Sequence, residues 1–285
     1  MKLILEDRAV IVKGSSHTSM ILSDLHIGYS VELSITTGVE FPFQHEFMLS
    51  RIETLIDKYD VETVFVAGDL KHTIGVDHNY NWSAIPELTE RLSQRVRLVL
   101  VPGNHDGDIQ CLLPRRVTLE DVRGCITKID GVSLGIMHGH AWPAGDLMDC
   151  DLIIMGHCHP SIRRQRTVSV SGRRVTRNAG TIPVVLKIRV DRDCVRRCAG
   201  MTVGDSKAPL ECVVMPAFNS LISGVGVDRE DFVLAGPMFG NGCGRCASLM
   251  EAEVYSTAGV FLNTVQALRR DESARSTSRA IRGLE

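Results

Sequence analysis

The residues of this chain that could do chemistry are gathered in five short blocks. They read Asp24-Leu25-His26, Gly68-Asp69-Leu70-Lys71-His72, Gly103-Asn104-His105-Asp106, His138-Gly139-His140 and Gly156-His157-Cys158-His159-Pro160. Carboxylate, imidazole and carboxamide donors in this mixture suit borderline divalent metals such as Mn²⁺, Fe²⁺ or Zn²⁺. The blocks hold no set of four cysteines, nor two cysteines with two histidines, which argues against a closed structural zinc site. They hold more Asp and His than one metal with an open position would use. Two metals about 3.5–4 Å apart, sharing a carboxylate, would use them, and such a pair serves hydrolysis at phosphorus.

Each block is preceded by a short apolar run. Ser19–Ser23, Thr63–Ala67, Arg97–Val101, Val132–Met137 and Leu152–Met155 are rich in β-branched residues, and Gly or Pro bounds several of them. They are expected to be strands. Helices are expected over Gln44–Tyr59, where Ile52, Leu55, Ile56 and Tyr59 follow helical spacing, and over Leu88–Ser93. Lys2–Leu5 and Ala9–Val12 flank a Glu6-Asp7-Arg8 turn and read as a hairpin. Strands alternating with helices predict an α/β sheet with parallel strands. Ligands of such sheets bind outside the carboxyl ends of the strands, so all five blocks should converge on one crevice.

In order and content the blocks resemble the calcineurin-like metallophosphoesterase superfamily: Asp-x-His, Gly-Asp, Gly-Asn-His-Asp, His-Gly and Gly-His-x-His. The resemblance spans roughly residues 19–160. The Gly-Asp-x-x-His form of the second block is similar to the SbcD branch of DNA-repair nucleases. The Asp-Leu-His-Ile-Gly-Tyr opening and the Gly-His-x-His-Pro ending are similar to SbcD-related phosphoesterases associated with DNA ligases. The resemblance implies an α/β fold, a four-layer α-β-β-α sandwich. It implies that Asp24, His26 and His159 hold a first metal, that Asn104, His138 and His157 hold a second, and that Asp69 bridges them. It implies that His105 is the general acid, oriented by Asp106, and that His72 lies beside the substrate. His140 is read as a packing residue behind His138, and Cys158 as pointing away from the metals. The expected cofactors are two divalent ions, Mn²⁺ first, with Fe²⁺ or Zn²⁺ as alternatives.

The chain of 285 residues is 44% hydrophobic and 23% charged, with a formal net charge of −2. This excludes a disordered or rod-like chain and a globally basic nucleic-acid binder, but not a local basic patch. Such a patch exists: residues 161–198 carry eleven Arg and Lys against Asp191 and Asp193, a local net charge of +9. Arg163, Arg164 and Arg166 stand directly after the last block and are candidates for phosphate contacts. The expected substrate is therefore a phosphodiester in nucleic acid, single-stranded DNA ahead of duplex. The alternatives are a small phosphoester and an inactive scaffold. A DNA-repair partner and a homodimer are left open.

The Met1–Arg8 start brings acids before any signal-like apolar core, and no apolar run approaches the roughly 18 residues that span a bilayer. A cytoplasmic protein with no membrane partner is expected. Residues 1–200 are read as the catalytic domain, 201–268 as a small β-rich extension packed on it, and 269–285 as a polar, disordered tail. Most of the nine cysteines are read as reduced core thiols. Cys243 and Cys246 form a lone Cys-x-x-Cys pair downstream of Cys194, Cys198 and Cys212. Their spacing fits no zinc ribbon or finger, so a turn with two free thiols is expected ahead of a structural zinc site.

Overall fold

The computed structural model describes residues 1–75, 79–170, 173–202, 204, 208–240 and 246–270; for 165–170 and 173–178 it describes the backbone only. Two sheets face each other. The first begins with the antiparallel strands β1 (Lys2–Glu6), β2 (Ala9–Lys13) and β3 (Thr18–Leu22). Helices α1 (Tyr29–Thr37) and α2 (Gln44–Tyr59) follow, then β4 (Thr63–Ala67), helix α3 (Asn79–Ser93), β5 (Arg97–Val101) and β6 (Thr118–Leu119). From β3 to β6 neighbouring strands are parallel, so β3, β4 and β5 end on the same edge.

The second sheet contains β7 (Cys125–Ile129), β8 (Val132–Met137) and β9 (Leu152–Met155), then the long hairpin β10 (Pro160–Val170) and β11 (Arg173–Val190). After the short helix α4 (Arg192–Cys198) come β12 (Leu210–Val214), β13 (Val225–Gly226), β14 (Glu253–Ser256) and β15 (Phe261–Thr264). Strands β8, β9 and β12 are parallel. β12 lies between β9 and β11, so the chain beyond residue 200 supplies an interior strand of this sheet.

The alternation along each strand explains the layers. In β4, Val64 and Val66 face α2 and α3, packing with Met48, Ile52, Ile85 and Leu88. Phe65 and Ala67 face the other way, toward Ile136, Ile154 and Val213 of the second sheet. Successive strand side chains point to opposite faces, so buried residues on both sides read as the unbroken apolar run seen in the sequence. The outer face of the second sheet, with Ile153, Met155, Leu186 and Val214, is covered by Val195, Phe232, Leu234 and Met238. Among the described residues this fourth layer is α4 with turns and irregular chain rather than a row of helices.

α3 starts at Asn79, nine residues before the expected Leu88, and carries Pro86 in its interior. An interior proline costs a helix about 3 kcal/mol. Ala84, Ile85, Leu88 and Leu92 bury a continuous face against the first core, which offsets that cost. Residues 271–285 of the expected tail lie outside the described residues, whereas Arg269 is anchored by hydrogen bonds to the carbonyls of Val227 (3.1 Å) and Phe232 (3.1 Å). Among the described residues, no helix is long and apolar enough to cross a membrane.

Candidate metal centre

The blocks sit where β3, β4, β5, β8 and β9 end. The first two are zipped together as a continuation of the parallel pair. Asp24 N–H donates to Gly68 O (3.0 Å), His26 N–H to Asp69 O (2.9 Å), Ile27 N–H to Leu70 O (2.8 Å) and His72 N–H to Ile27 O (2.9 Å). Turning each chain off its strand takes backbone in the left-handed region: φ is 57° at Asp24, 43° at His26, 52° at Asp69, 69° at His157 and 41° at His159. Non-glycine residues in sparsely populated backbone regions cost on the order of 1–3 kcal/mol each and persist where surrounding contacts hold them. Two glycines make room. A Cβ on Gly68, itself at φ 83°, would collide with the His138 ring, and one on Gly103 with the Asp69 carboxylate.

Two buried carboxylates organise the cluster, each with one oxygen tied and one turned inward. Asp69 Oδ1 accepts from His105 N–H (2.9 Å). Its Oδ2 lies 3.3 Å from His138 Nε2, 3.5 Å from His26 Nε2 and 3.9 Å from His105 Nε2. Asp24 Oδ2 accepts from His157 N–H (3.1 Å). Its Oδ1 lies 2.9 Å from His159 Nε2 and 3.9 Å from His26 Nε2. The donor atoms of Asp24, His26 and His159 fall within 4.8 Å of one another, and so do those of Asp24, Asp69 and His138.

These donors fit a metal. Asp24 Oδ1, His26 Nε2 and His159 Nε2 are buried, face one another and lack hydrogen-bond geometry to any partner; the 2.9 Å approach is an ion-pair distance only. His138 Nδ1–H donates to Ala67 O (2.9 Å), which leaves its Nε2 lone pair facing Asp69 Oδ2 and, at 3.3 Å, Asn104 Oδ1. Lone pairs aimed at one another call for a cation between them. Without a metal, a proton serves: burial opposes it, but the Asp69 and Asp24 carboxylates outweigh burial and push His138 up to about 9. At His159, too, the Asp24 carboxylate outweighs burial and holds the imidazole above its ordinary range. Burial dominates at His26, pushed down to about 3, and at His157, down to about 4. Both are kept neutral, the form in which an imidazole can bind a metal. His157 meets the cluster through its backbone and by ring contact with His138, centroids 4.9 Å apart.

Several expected roles change. The hydrogen bonds of the Asp106 carboxylate go to backbone N–H groups and not to the His105 ring. This buried carboxylate accepts from the backbone N–H groups of Gly103 (2.8 Å), Lys71 (3.1 Å) and Leu70 (3.3 Å), bracing one block against another. His105 is instead oriented by the His72 carbonyl, which accepts from its Nδ1–H, so that Nε2 faces Asp69. The His72 ring joins His26, Nδ1 to Nδ1 at 3.2 Å, and its Nε2 lies 3.0 Å from Glu32 Oε2. The consistent proton arrangement runs Glu32–His72–His26 and leaves His26 Nε2 bare. Sequence reasoning missed Glu32: it stands on α1, which no strong apolar period marks.

Arg163 is also committed elsewhere. Its Nε donates to Asp228 Oδ2 (2.9 Å) and its backbone N–H to Asp228 Oδ1 (3.2 Å), so it braces β10 rather than standing ready for substrate. Arg164 is exposed, and the Arg166 side chain lies outside the described ones. His140 packs beside His138 and His157. Cys158 turns into the second core, its Sγ 3.5 Å from Ala235 O, and burial pushes its thiol up to about 12.

A family model described as calcineurin-like phosphoesterase matches residues 17–177, more than half of the chain. No curated protein matches significantly. Among solved structures the chain is similar to the Pseudomonas putida nuclease MPE, at 17% identity over 82% of this chain and 91% of that one, with a TM-score of 0.43. It is similar to the E. coli phosphoesterase Yfce at 20% identity over 52% and 73%, TM-score 0.33. It is similar to an archaeal phosphodiesterase at 18% identity over 55% and 80%, TM-score 0.31. Likenesses at these scores carry no weight for substrate.

Proposed function

The chain belongs to the calcineurin-like phosphoesterase family, and from that premise we propose that it is a dinuclear metal-dependent phosphodiesterase acting on DNA, single strands ahead of duplex. It is a hydrolase of ester bonds, and its family implies divalent metal ions. The observation that carries the dinuclear reading is the inward oxygen of Asp69, within 3.5 Å of His26 Nε2 on one side and His138 Nε2 on the other. Asp24, His26 and His159 would hold one ion, Asn104, His138 and His157 the other, with Asp69 shared; Mn²⁺ is the ion proposed. Bound there, the pair supplies positive charge to phosphoryl oxygens and lowers the pKa of water.

The protein's own groups do the rest. His105 is pinned through Nδ1, so its Nε2 points into the centre, where it carries a transferable proton when the ring is the imidazolium, and its part-exposed ring is reached by solvent. As water adds to phosphorus and the P–O bond breaks, the Nε2 proton passes to the leaving oxygen, and solvent restores it. General acids of this kind contribute typically 10²–10⁴-fold. The DNA reading is supported by the Gly-Asp-x-x-His block and by the basic ribbon: β10 begins at Pro160, immediately after His159.

The test is metal-stripped protein reconstituted with Mn²⁺ and assayed on bis-p-nitrophenyl phosphate, p-nitrophenyl phosphate, and labelled single- and double-stranded DNA. Asp69→Asn and His105→Ala run beside it. Cleavage of DNA and the diester, abolished in Asp69→Asn and suppressed by salt on DNA alone, is expected, because DNA contacts release counterions. Turnover of small esters only would replace DNA with a small phosphoester. No turnover despite bound metal would mean an inactive scaffold.

A further inference from the structure

The chain that follows β12 runs behind the metal centre. Met215 N–H donates to Met155 O (2.7 Å) and Phe218 N–H to Ser23 O (2.9 Å), so residues 215–218 pass the ends of β9 and β3, where the fifth and first blocks begin. Val225 N–H then donates to His159 O (3.0 Å), and a Cβ on Gly224 would collide with that same carbonyl. A Cβ on Gly236 would collide with Gly139 O. Residues 215–236 therefore touch the first, fourth and fifth blocks, yet all of them lie beyond the span 17–177 that the family model matches.

Asn219 stands where this stretch meets the first block, and it is fully buried. Its Nδ2 donates to Leu25 O (2.9 Å) and approaches His26 O at 3.5 Å, while its Oδ1 accepts from Leu221 N–H (2.9 Å). The Leu221 donor settles which end of the amide faces the block, since only the nitrogen end can donate to carbonyls. The Asn219 backbone N–H points at Asp24 O (3.4 Å). One residue thus faces the carbonyls of Asp24, Leu25 and His26. Asp24 and His26 have left-handed backbone, φ 57° and 43°, a conformation that persists where surrounding contacts over-determine it.

Asn219 is itself held by protein groups alone. Arg8 Nη1 donates to Ala217 O (3.1 Å) and Asn219 O (2.8 Å). Arg51 of α2 donates to Phe218 O (3.0 Å), lies over the Phe218 ring at 4.1 Å and pairs with Asp7 (2.8 Å). Farther along, the chain is joined to α4 by a disulfide between Cys194 and Cys246, where the sequence predicts Cys246 as a free thiol in a turn. Asp191 brings the two together: its N–H donates to Cys246 O (2.6 Å) and its carboxylate caps α4 through Cys194 N–H (2.9 Å).

We propose that Asn219 is a positioning residue for the first metal: its amide N–H holds the Leu25 carbonyl and so sets the turn that aims Asp24 Oδ1 and His26 Nε2 at the ion. The proposal rests on the reading that Asp24, His26 and His159 hold that ion. Asp24 and His26 flank the Leu25 peptide, so a change at that peptide moves both ligands together. The Leu25 side chain is fixed in the first core, which leaves its carbonyl as the part that needs a partner. The second ion's ligands, Asn104, His138 and His157, come from other blocks. Loss of the Asn219 donor should therefore fall on one ion and spare the other.

The experiment adds Mn²⁺ to metal-stripped, full-length protein and counts free ion by the sharp electron paramagnetic resonance signal of aqueous Mn²⁺. Wild type is expected to take up two ions. In Asn219→Ala and Asn219→Asp one ion should keep its wild-type affinity, and the other should bind roughly 10–100-fold more weakly. Asn219→Asp keeps an oxygen for Leu221 N–H but loses the donor to Leu25, so it separates the two ends of the amide. If that variant does not fold, Asn219→Ala carries the test. Denaturant midpoints of the metal-free proteins are measured alongside. A merely structural residue would lower the midpoint and leave both affinities unchanged, or weaken both ions equally. Either result, or wild-type affinities in Asn219→Asp, would overturn the proposal while the two-ion reading stands. Wild-type protein that takes up no more than one ion would overturn the two-ion reading and this proposal with it.

Discussion

Each carboxylate in the centre is useful because it is only half free. Asp69 and Asp24 have one oxygen fixed by a backbone N–H of the third and fifth blocks, and that bond aims the other oxygen at the imidazoles. The same logic reaches outward through Glu32, His72 and His26, where a carboxylate fixes one ring and that ring fixes the next. Outer partners of this kind typically change metal affinity or activity 10–100-fold when removed. His72→Ala and Glu32→Ala should therefore weaken metal binding by roughly 10-fold or more, read by competition with a metallochromic chelator, with KM for a small diester little changed at saturating metal. If His72 instead works beside the substrate, His72→Ala will raise KM and leave metal affinity intact.

At the scale of elements, the strands and the long helix were legible because their burial pattern is written in apolar residues. α2 lies over Gln44–Tyr59 as its spacing predicts, and the ligand blocks fall at the ends of β3, β4, β5, β8 and β9. What was not legible is held by polar and backbone contacts that leave no period. α1 buries only Ser30, and Arg163 is claimed by Asp228 sixty-five residues away. Asp106 belongs to this class: the sequence places it beside His105, but its partners are three N–H groups from two separate loops. Leaving buried donors unpaired costs about 1–3 kcal/mol apiece. Asp106→Ala should lower unfolding stability by on the order of 3 kcal/mol, seen as a lower denaturant midpoint with an unchanged slope. An Asp106→Ala protein of wild-type stability but lower kcat would restore Asp106 to the role of orienting His105.

For the molecule as a whole, the centre couples folding to pH, and the sign differs with and without metal. His26 and His157 titrate at about 3 and about 4 in the folded chain, below the ordinary histidine value, because burial disfavours their charge. The unfolded chain therefore binds more protons as pH falls below about 6.5, and the metal-free protein loses stability on that side. His138 runs the other way. Held at about 9, it binds a proton more tightly when folded, so its contribution is complete below about 6.5 and is lost as pH rises through about 9. Melting midpoints of chelator-treated protein should thus peak near neutrality and fall toward both pH 5 and pH 9. Loading with Mn²⁺ should remove the alkaline decline, since a metal needs the His138 lone pair bare and competes with its proton less as pH rises. A metal-free melting curve flat from pH 7 to pH 9 would mean that His138 is not the protonated stand-in for an ion. The two-ion reading of Asp69 would then have to rest on metal stoichiometry alone.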